Sequence, residues 1–209
     1  MLIDIEKAIA LLSEKRKLFA SEADFQLELA WQLRELYPEA KVRMEYCPSF
    51  DPSMHIDILV IKDGKWIPIE LKYKTERLVK DVDGERFELK KQGAKDIGCY
   101  LYLHDIQRVE QIKKKVESFA EGYTVMITND LSYTKTPLHR GCAYAEFSLH
   151  HGTTKSGALN WGENTGAGTK KGIEDPIILQ GTYPMHWKQF SNVDGVKSGL
   201  FVVLINTIQ

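Results

Sequence analysis

From Ile56 to Lys72 the chain reads I-D-I-L-V-I-K-D-G-K-W-I-P-I-E-L-K, an apolar run, a turn, and an alternating run. Ile56, Ile58, Leu59, Val60 and Ile61 form the β-branched, apolar pattern of a strand covered on both faces. Asp63-Gly64 is a tight-turn dipeptide, so the second run folds back as a hairpin partner. Side chains alternate across a strand, which puts Ile67, Ile69 and Leu71 on one face and Pro68, Glu70 and Lys72 on the other. The first face is core. The second carries a carboxylate and an ammonium two residues apart, with Asp57 supplied by the neighbouring strand.

Helical spacing marks a first helix over residues 4–19, with Ile5, Ala8, Ile9, Leu12 and Phe19 on its apolar side. Ser21 is an N-cap with Asp24 three residues on, and a second helix should run from Glu22 to Leu36, stopping before Pro38. On this helix Asp24, Glu28, Gln32 and Glu35 line up as a polar outer face, whereas Glu22 aligns with the inward Gln26, Leu29 and Leu33. A carboxylate at the mouth of a buried stripe is unusual, although its place in the first turn is also explained by the helix dipole alone.

Lys41 to Tyr46 is a strand, and the Pro48 and Pro52 segment after it is a loop. Asp57 therefore sits near the start of the second strand and Glu70 near the end of the third. The charged stretch after Lys72 turns at Asp83-Gly84, and is expected as a mobile hairpin over the site, offering Lys74, Arg77, Arg86, Lys90 and Lys91 to phosphates. Gln92 opens a helix with Ala94, Ile97 and Leu101 on one face and Gln92 and Asp96 beside it. Val109, Ile112, Val116 and Phe119 mark a separate amphipathic helix, its lysine run exposed. Tyr123 to Thr128 is a further strand. Beyond it, strands are expected at Ala143 to Leu149, Ile177 to Leu179 and Phe201 to Ile208, between loops rich in Gly, Ser, Thr and Asn.

Composition narrows the classes. The 209 residues suit a single domain over 1–209, with ordinary apolar and charged fractions. Lys and Arg number 28 against 29 Asp and Glu, a formal charge of −1, so the chain as a whole lacks the basic excess of a nucleic-acid binder. A local positive groove beside an acidic site is compatible with that sum. No apolar run approaches a membrane span and the start lacks a signal pattern, so a cytoplasmic protein with no membrane partner is expected. Cys47, Cys99 and Cys142 form no C-x-x-C pair, which argues against a disulfide framework or a structural zinc. His139, His150 and His151 have no ligand spacing. G-E-N-T-G-A-G-T-K-K-G lacks the Gly-Lys-Ser/Thr and the leading strand of a phosphate loop. Trp161, Tyr183, Trp187 and Phe190 could stack on bases but fit a core equally well.

Asp57 followed by Glu70-Leu71-Lys72 resembles the signature of the PD-(D/E)XK nuclease superfamily, with Ile56 where the motif's Pro would stand. An inward Glu22 on the preceding helix and Gln92 on the following one keep the superfamily's order, and the resemblance covers residues 21–130. It implies an α/β fold, a restriction-endonuclease-like mixed sheet flanked by helices, with 131–209 as a β-rich C-terminal extension. It further implies a Mg²⁺- or Mn²⁺-dependent phosphodiesterase acting on nucleic acid, with DNA as the expected partner. Asp57, Glu70, Glu22 and the Leu71 carbonyl would hold the metal, Lys72 would assist the attacking water, and Gln92 would face the active site. Two carboxylates suffice for a hard ion that keeps several waters, and a lysine beside them can orient water or stabilise phosphate charge. The bland alternative for the three motif residues is a salt-bridged hairpin edge. The functional alternative is a catalytically inactive nuclease-fold module binding nucleic acid or a protein. The sequence leaves the oligomeric state open, a homodimer included.

Overall fold

The computed structural model describes residues 2–137 and 141–209, so His139 lies outside the described residues. Three α-helices, α1 (Ile5–Lys15), α2 (Glu22–Leu36) and α3 (Lys95–Lys115), accompany ten strands. These are β1 (Lys41–Tyr46), β2 (Ile56–Lys62), β3 (Lys65–Lys74), β4 (Leu78–Val82), β5 (Glu85–Leu89), β6 (Gly122–Thr128), β7 (Thr154–Leu159), β8 (Ile177–Pro184), β9 (Lys188–Asn192) and β10 (Leu200–Ile208). The central sheet runs β1-β2-β3-β6-β10-β9, with β4-β5 and β7-β8 as separate two-stranded ribbons. The fold is thus α/β with a mixed sheet flanked by helices.

The pairing of β3 with β6 is parallel, whereas β1-β2, β2-β3, β6-β10 and β10-β9 are antiparallel. A parallel pair needs a crossover, and α3 supplies it. One sheet face is closed by α1 and α2, where Ile67, Ile69, Leu71 and Tyr73 of β3 meet Leu12, Phe25, Leu29 and Leu33. Over the other face, α3 packs against β3, β6, β10 and the β7-β8 ribbon. The alternation read from β3 therefore holds: its odd positions enter the first core, and Glu70 and Lys72 turn toward α3.

Several boundaries differ from the sequence pattern. The first helix ends at Lys15 because Arg16 turns extended and pairs through its guanidinium with Asp24 and Glu28, at 3.1 and 2.7 Å. Phe19 is still buried, but from the connecting turn, against Phe25 and Tyr73. The two helices expected after Gln92 are one, Lys95–Lys115, since no Gly or Pro interrupts the stretch between Leu101 and Val109. Its start is delayed to Lys95 because Ala94 adopts the left-handed conformation (φ 59°), leaving Gln92 outside the helix. Residues 143–147 form turns and 148–149 no regular element, rather than a strand, yet Phe147 and Leu149 still plug the α3-side core. The strands β7 and β9 were not expected; T-K-S-G-A-L has little β propensity, and β7 depends on its pairing with β8. Strands β9 and β10 of the C-terminal third complete the central sheet instead of lying beside it. No helix of the described residues is long and apolar enough to cross a membrane.

The ribbon is fixed to α3 by a buried carboxylate. Glu110, 5% exposed, accepts from the backbone N–H groups of Gln180 and Gly181 at 2.9 and 2.7 Å and from the Tyr183 hydroxyl at 2.7 Å. Gly181 is required there, since a Cβ would come within 2.6 Å of the Tyr183 oxygen. Glu110→Ala should cost about 2–3 kcal/mol, because it strands two part-buried backbone donors and a buried hydroxyl. Tyr183→Phe, which removes one bond, should cost about 1 kcal/mol. Urea denaturation of the two variants checks the order; equal losses would refute the account.

Candidate functional site

Asp57 sits where the β2-β3 ladder ends. The last pair is Ile58 with Ile69, so the next position along sets Asp57 across from Glu70. Instead of a backbone group, the Asp57 carboxylate takes the Leu71 N–H, through Oδ2 at 2.6 Å. On its other side the β1-β2 register omits Glu45, whose φ of 49° is left-handed. Such backbone is uncommon for a non-glycine residue and recurs near functional sites. Gln26 of α2 bridges this gap, donating through Nε2 to the Asp57 carbonyl at 2.6 Å and to Glu45 Oε1 at 2.8 Å.

Glu70 is 1% exposed, opposed by Arg108 of α3, whose Nη1 lies 3.3 Å from Oε2. Its other oxygen, Oε1, is buried without a hydrogen-bond partner among the described residues. Lys72 donates to the Leu71 carbonyl at 2.9 Å and pairs with Asp105 Oδ2 at 2.7 Å. Arg108 Nη1 also lies 3.5 Å from Asp105 Oδ1, and Nη2 donates to the His55 carbonyl. Three carboxylates, Asp57, Glu70 and Asp105, thus share the region with two cations, Lys72 and Arg108, so all three can be ionised together only with one negative charge in excess.

The electrostatics follow from burial. Desolvation pushes the Asp57 carboxyl up to about 6, against the Leu71 N–H and Lys72, with Asp105 and Glu22 adding to the rise. Glu70 is raised well above the ordinary carboxylate range, first by desolvation, then by Asp105 and Asp57. Burial alone would lower Lys72, but Asp105, Glu22 and Asp57 outweigh it and hold the ammonium above the usual lysine range. Lys72 is therefore a cation here and no proton acceptor at neutral pH. His104 is lowered by burial and by Arg108 and Lys72, with Asp105 opposing, which favours a neutral ring.

Outside this cluster lies an open cleft of about 530 Å³, lined by Asp51, Ser53, Met54, His55, Asp57, His104, Arg108 and Gln111. Asp57 is thus reachable from solvent, and α3 forms one wall.

The expected residues are gathered unevenly. Asp57, Glu70, Leu71 and Lys72 come together as the strand parity required. Glu22 is exposed rather than inward: its Oε2 accepts the Tyr73 N–H at 2.7 Å, just past Lys72, and its charge is felt at Asp57 and Lys72. Glu28 pairs with Arg16 and takes no part in the cluster, while Gln32, expected on the outer face, is buried. Gln92 is exposed, with its backbone N–H on the Thr75 carbonyl, and no hydrogen bond joins it to Asp57, Glu70 or Lys72 among the described residues. The charged hairpin exists as β4-β5, but Leu78, Phe87 and Leu89 seat it in the α1-α2 core, on the face away from α3. Two of its cations are already paired, Arg86 with Asp81 and Lys91 with Glu76.

Asp105 and Arg108 were missed. Tyr102, Asp105, Val109 and Ile112 share one helical stripe, and all four are buried, so a charged residue inside that stripe was the available signal. No known protein family matches the chain, and neither a curated protein nor a solved structure matches it.

Among the described residues no three His, Cys, Asp or Glu side chains converge as a ready metal cage. Two carboxylates are nevertheless enough for Mg²⁺ or Mn²⁺ with bound waters. Glu70 Oε1, without a partner among the described residues, and two neighbouring carboxyls raised by burial both suit such an ion.

The raised Asp57 carboxyl makes a stability prediction. Its folded value, about 6, lies above the unfolded 3.8, so the penalty is absent below pH 4, grows through pH 6 and is complete above it. A shift of this size corresponds to about 3 kcal/mol. Asp57→Asn should therefore melt several degrees above the wild type at pH 8, with the difference vanishing near pH 4. Thermal melts across pH, without divalent ions, are the measurement. A difference that does not change with pH would contradict the assignment.

Proposed function

We propose that the protein is a metal-dependent phosphodiesterase acting on DNA, a nuclease with the restriction-endonuclease-like organisation that Asp57, Glu70 and Lys72 resemble. The observation that carries this reading is the juxtaposition of Asp57, which lines a solvent-open cleft, with Glu70 across from it, whose Oε1 is buried and without a partner among the described residues. Such carboxyls are disfavoured as neighbours unless a cation joins them.

In this reading Asp57 and Glu70 hold Mg²⁺ or Mn²⁺, with the Leu71 carbonyl within the same group of oxygens. The ion supplies Lewis-acid polarisation of the phosphodiester and a more acidic bound water. Leu71 does the positioning: its N–H fixes the Asp57 carboxylate and its carbonyl fixes the Lys72 ammonium. Lys72, protonated, orients the attacking water and balances charge on the pentacovalent phosphorus. Asp105 holds that ammonium in place. Glu22 steadies the strand through the Tyr73 N–H and adds negative potential. The chain is expected in the cytoplasm.

One observation favours the alternative, a catalytically inactive module on the same fold. Lys72 and Arg108 are both already engaged by acids, so the cluster can persist as a closed ion-pair network.

The deciding experiment is a cleavage screen of linear, circular and branched DNA and RNA with Mg²⁺ or Mn²⁺. The wild type should cut at least one DNA form and lose activity in chelator. Lys72→Ala should lower the rate by about 10²-fold or more while sparing metal binding. Asp57→Asn should lose measurable metal affinity by calorimetry, since the ion has few protein oxygens. Nucleic-acid binding that is unchanged in Asp57→Asn, with no cleavage by the wild type, would establish the inactive module instead.

A further inference from the structure

Arg108 is the one lysine or arginine among the described residues lining the cleft, and it also touches the buried carboxylates. Its hold on them is slack. Nη1 is shared between Glu70 at 3.3 Å and Asp105 at 3.5 Å, whereas a charge-assisted N–H···O bond is normally about 2.7–2.9 Å. Lys72 sits at 2.7 Å from the same Asp105, so Asp105 already has a closer cation. The guanidinium presents five donors in a planar fork, and its Nε makes no hydrogen bond among the described residues. The side chain is 21% exposed, with its root on α3 and its head between the cluster and the cleft.

Resting on the nuclease reading, we propose that Arg108 is the phosphate anchor of this site. It is held in reserve on Glu70, Asp105 and the His55 carbonyl, and the donor it gives Glu70 turns into the cleft when a divalent ion takes over Glu70. Without the ion, the guanidinium is the cation paired with the buried Glu70. Once Glu70 is committed to the ion, the same guanidinium is surplus there. Among the described residues the cleft it lines offers no other Lys or Arg to receive a phosphodiester, while a guanidinium matches two phosphate oxygens. Asp105 keeps Lys72 throughout, so only one of the two cations moves. The anchor and the ion thus compete for Glu70 and cooperate on the substrate.

The test measures Mn²⁺ affinity by calorimetry and duplex DNA affinity by anisotropy, as a function of salt. The DNA arm uses Ca²⁺ in place of Mg²⁺, with the duplex checked intact on a gel. Arg108→Met should bind Mn²⁺ about tenfold more tightly, because a competing cation is gone. The same variant should bind duplex about tenfold more weakly, and its log–log salt slope should fall by about 0.9, the loss of one phosphate contact. Arg108→Lys should restore the salt slope. Arg108→Gln, which keeps a donor for the His55 carbonyl, should repeat the Arg108→Met result and guards against a folding failure. Weaker Mn²⁺ binding in the Met and Gln variants, or an unchanged salt slope, would overturn the proposal while leaving the nuclease reading intact. A wild type that takes up no Mn²⁺ and cuts no DNA overturns both.

Discussion

Glu70 places a carboxyl between the central sheet and α3, 1% exposed, and much of the surrounding arrangement answers that placement. A buried charge persists only with partners nearby, and removing one partner from such a pair is costly. Arg108 is set against it from the helix, Asp105 balances Arg108 and Lys72, and Lys72 returns to the strand through the Leu71 carbonyl. The loop closes on Asp57, which grips the Leu71 N–H. Strand parity brings these groups to one side, and the α3 crossover between parallel strands brings the opposing charges. A short helix in place of α3, or an antiparallel return, would leave Glu70 without Arg108.

How much of this was legible depends on which physical signal each residue left. The parity of Ile67, Ile69 and Leu71 against Glu70 and Lys72 was readable, because alternation is a property of the strand itself. The Ser21 cap was readable for the same local reason, and its side chain does accept the Asp24 N–H. Helix phase was a poorer guide. On α2 the buried set is Phe25, Gln26, Leu29, Ala30, Gln32 and Leu33, a stripe wide enough to serve both α1 and the sheet, and it begins beyond Glu22. Glu22 reaches the strand from an exposed position at the helix tip, which no periodicity predicts. Gln92 failed for a backbone reason, the left-handed Ala94 that delays the helix. Asp105 was legible by the reasoning applied to Glu22, but the stretch had been divided between two helices. The weak strands β7 and β9 left no signal of their own, since their pairing comes from partners distant in sequence.

The site and the fold are linked through one helix. From Lys95 to Lys115, α3 carries Asp105 and Arg108 toward β3 and Glu110 toward β8. Glu110 is satisfied by backbone N–H groups and a tyrosine, and Glu70 is left with a free oxygen. Two carboxylates of similar burial are thus finished in different ways. The first has its oxygens satisfied; the second keeps one, Oε1, without a partner among the described residues.

The closing of the central sheet by β9 and β10 bears on modularity. A fragment cut to residues 21–130, the span that the motif order suggests, would end soon after β6 and lose the strand that covers its edge. The Y-T-V-M-I-T segment, buried along its whole length in the protein, would become an open, apolar, β-prone border with unpaired backbone groups. Such a fragment would join other copies of itself before it could serve as a minimal enzyme. The residues of the candidate site lie in the first two thirds of the chain, but the unit that can fold includes the rest.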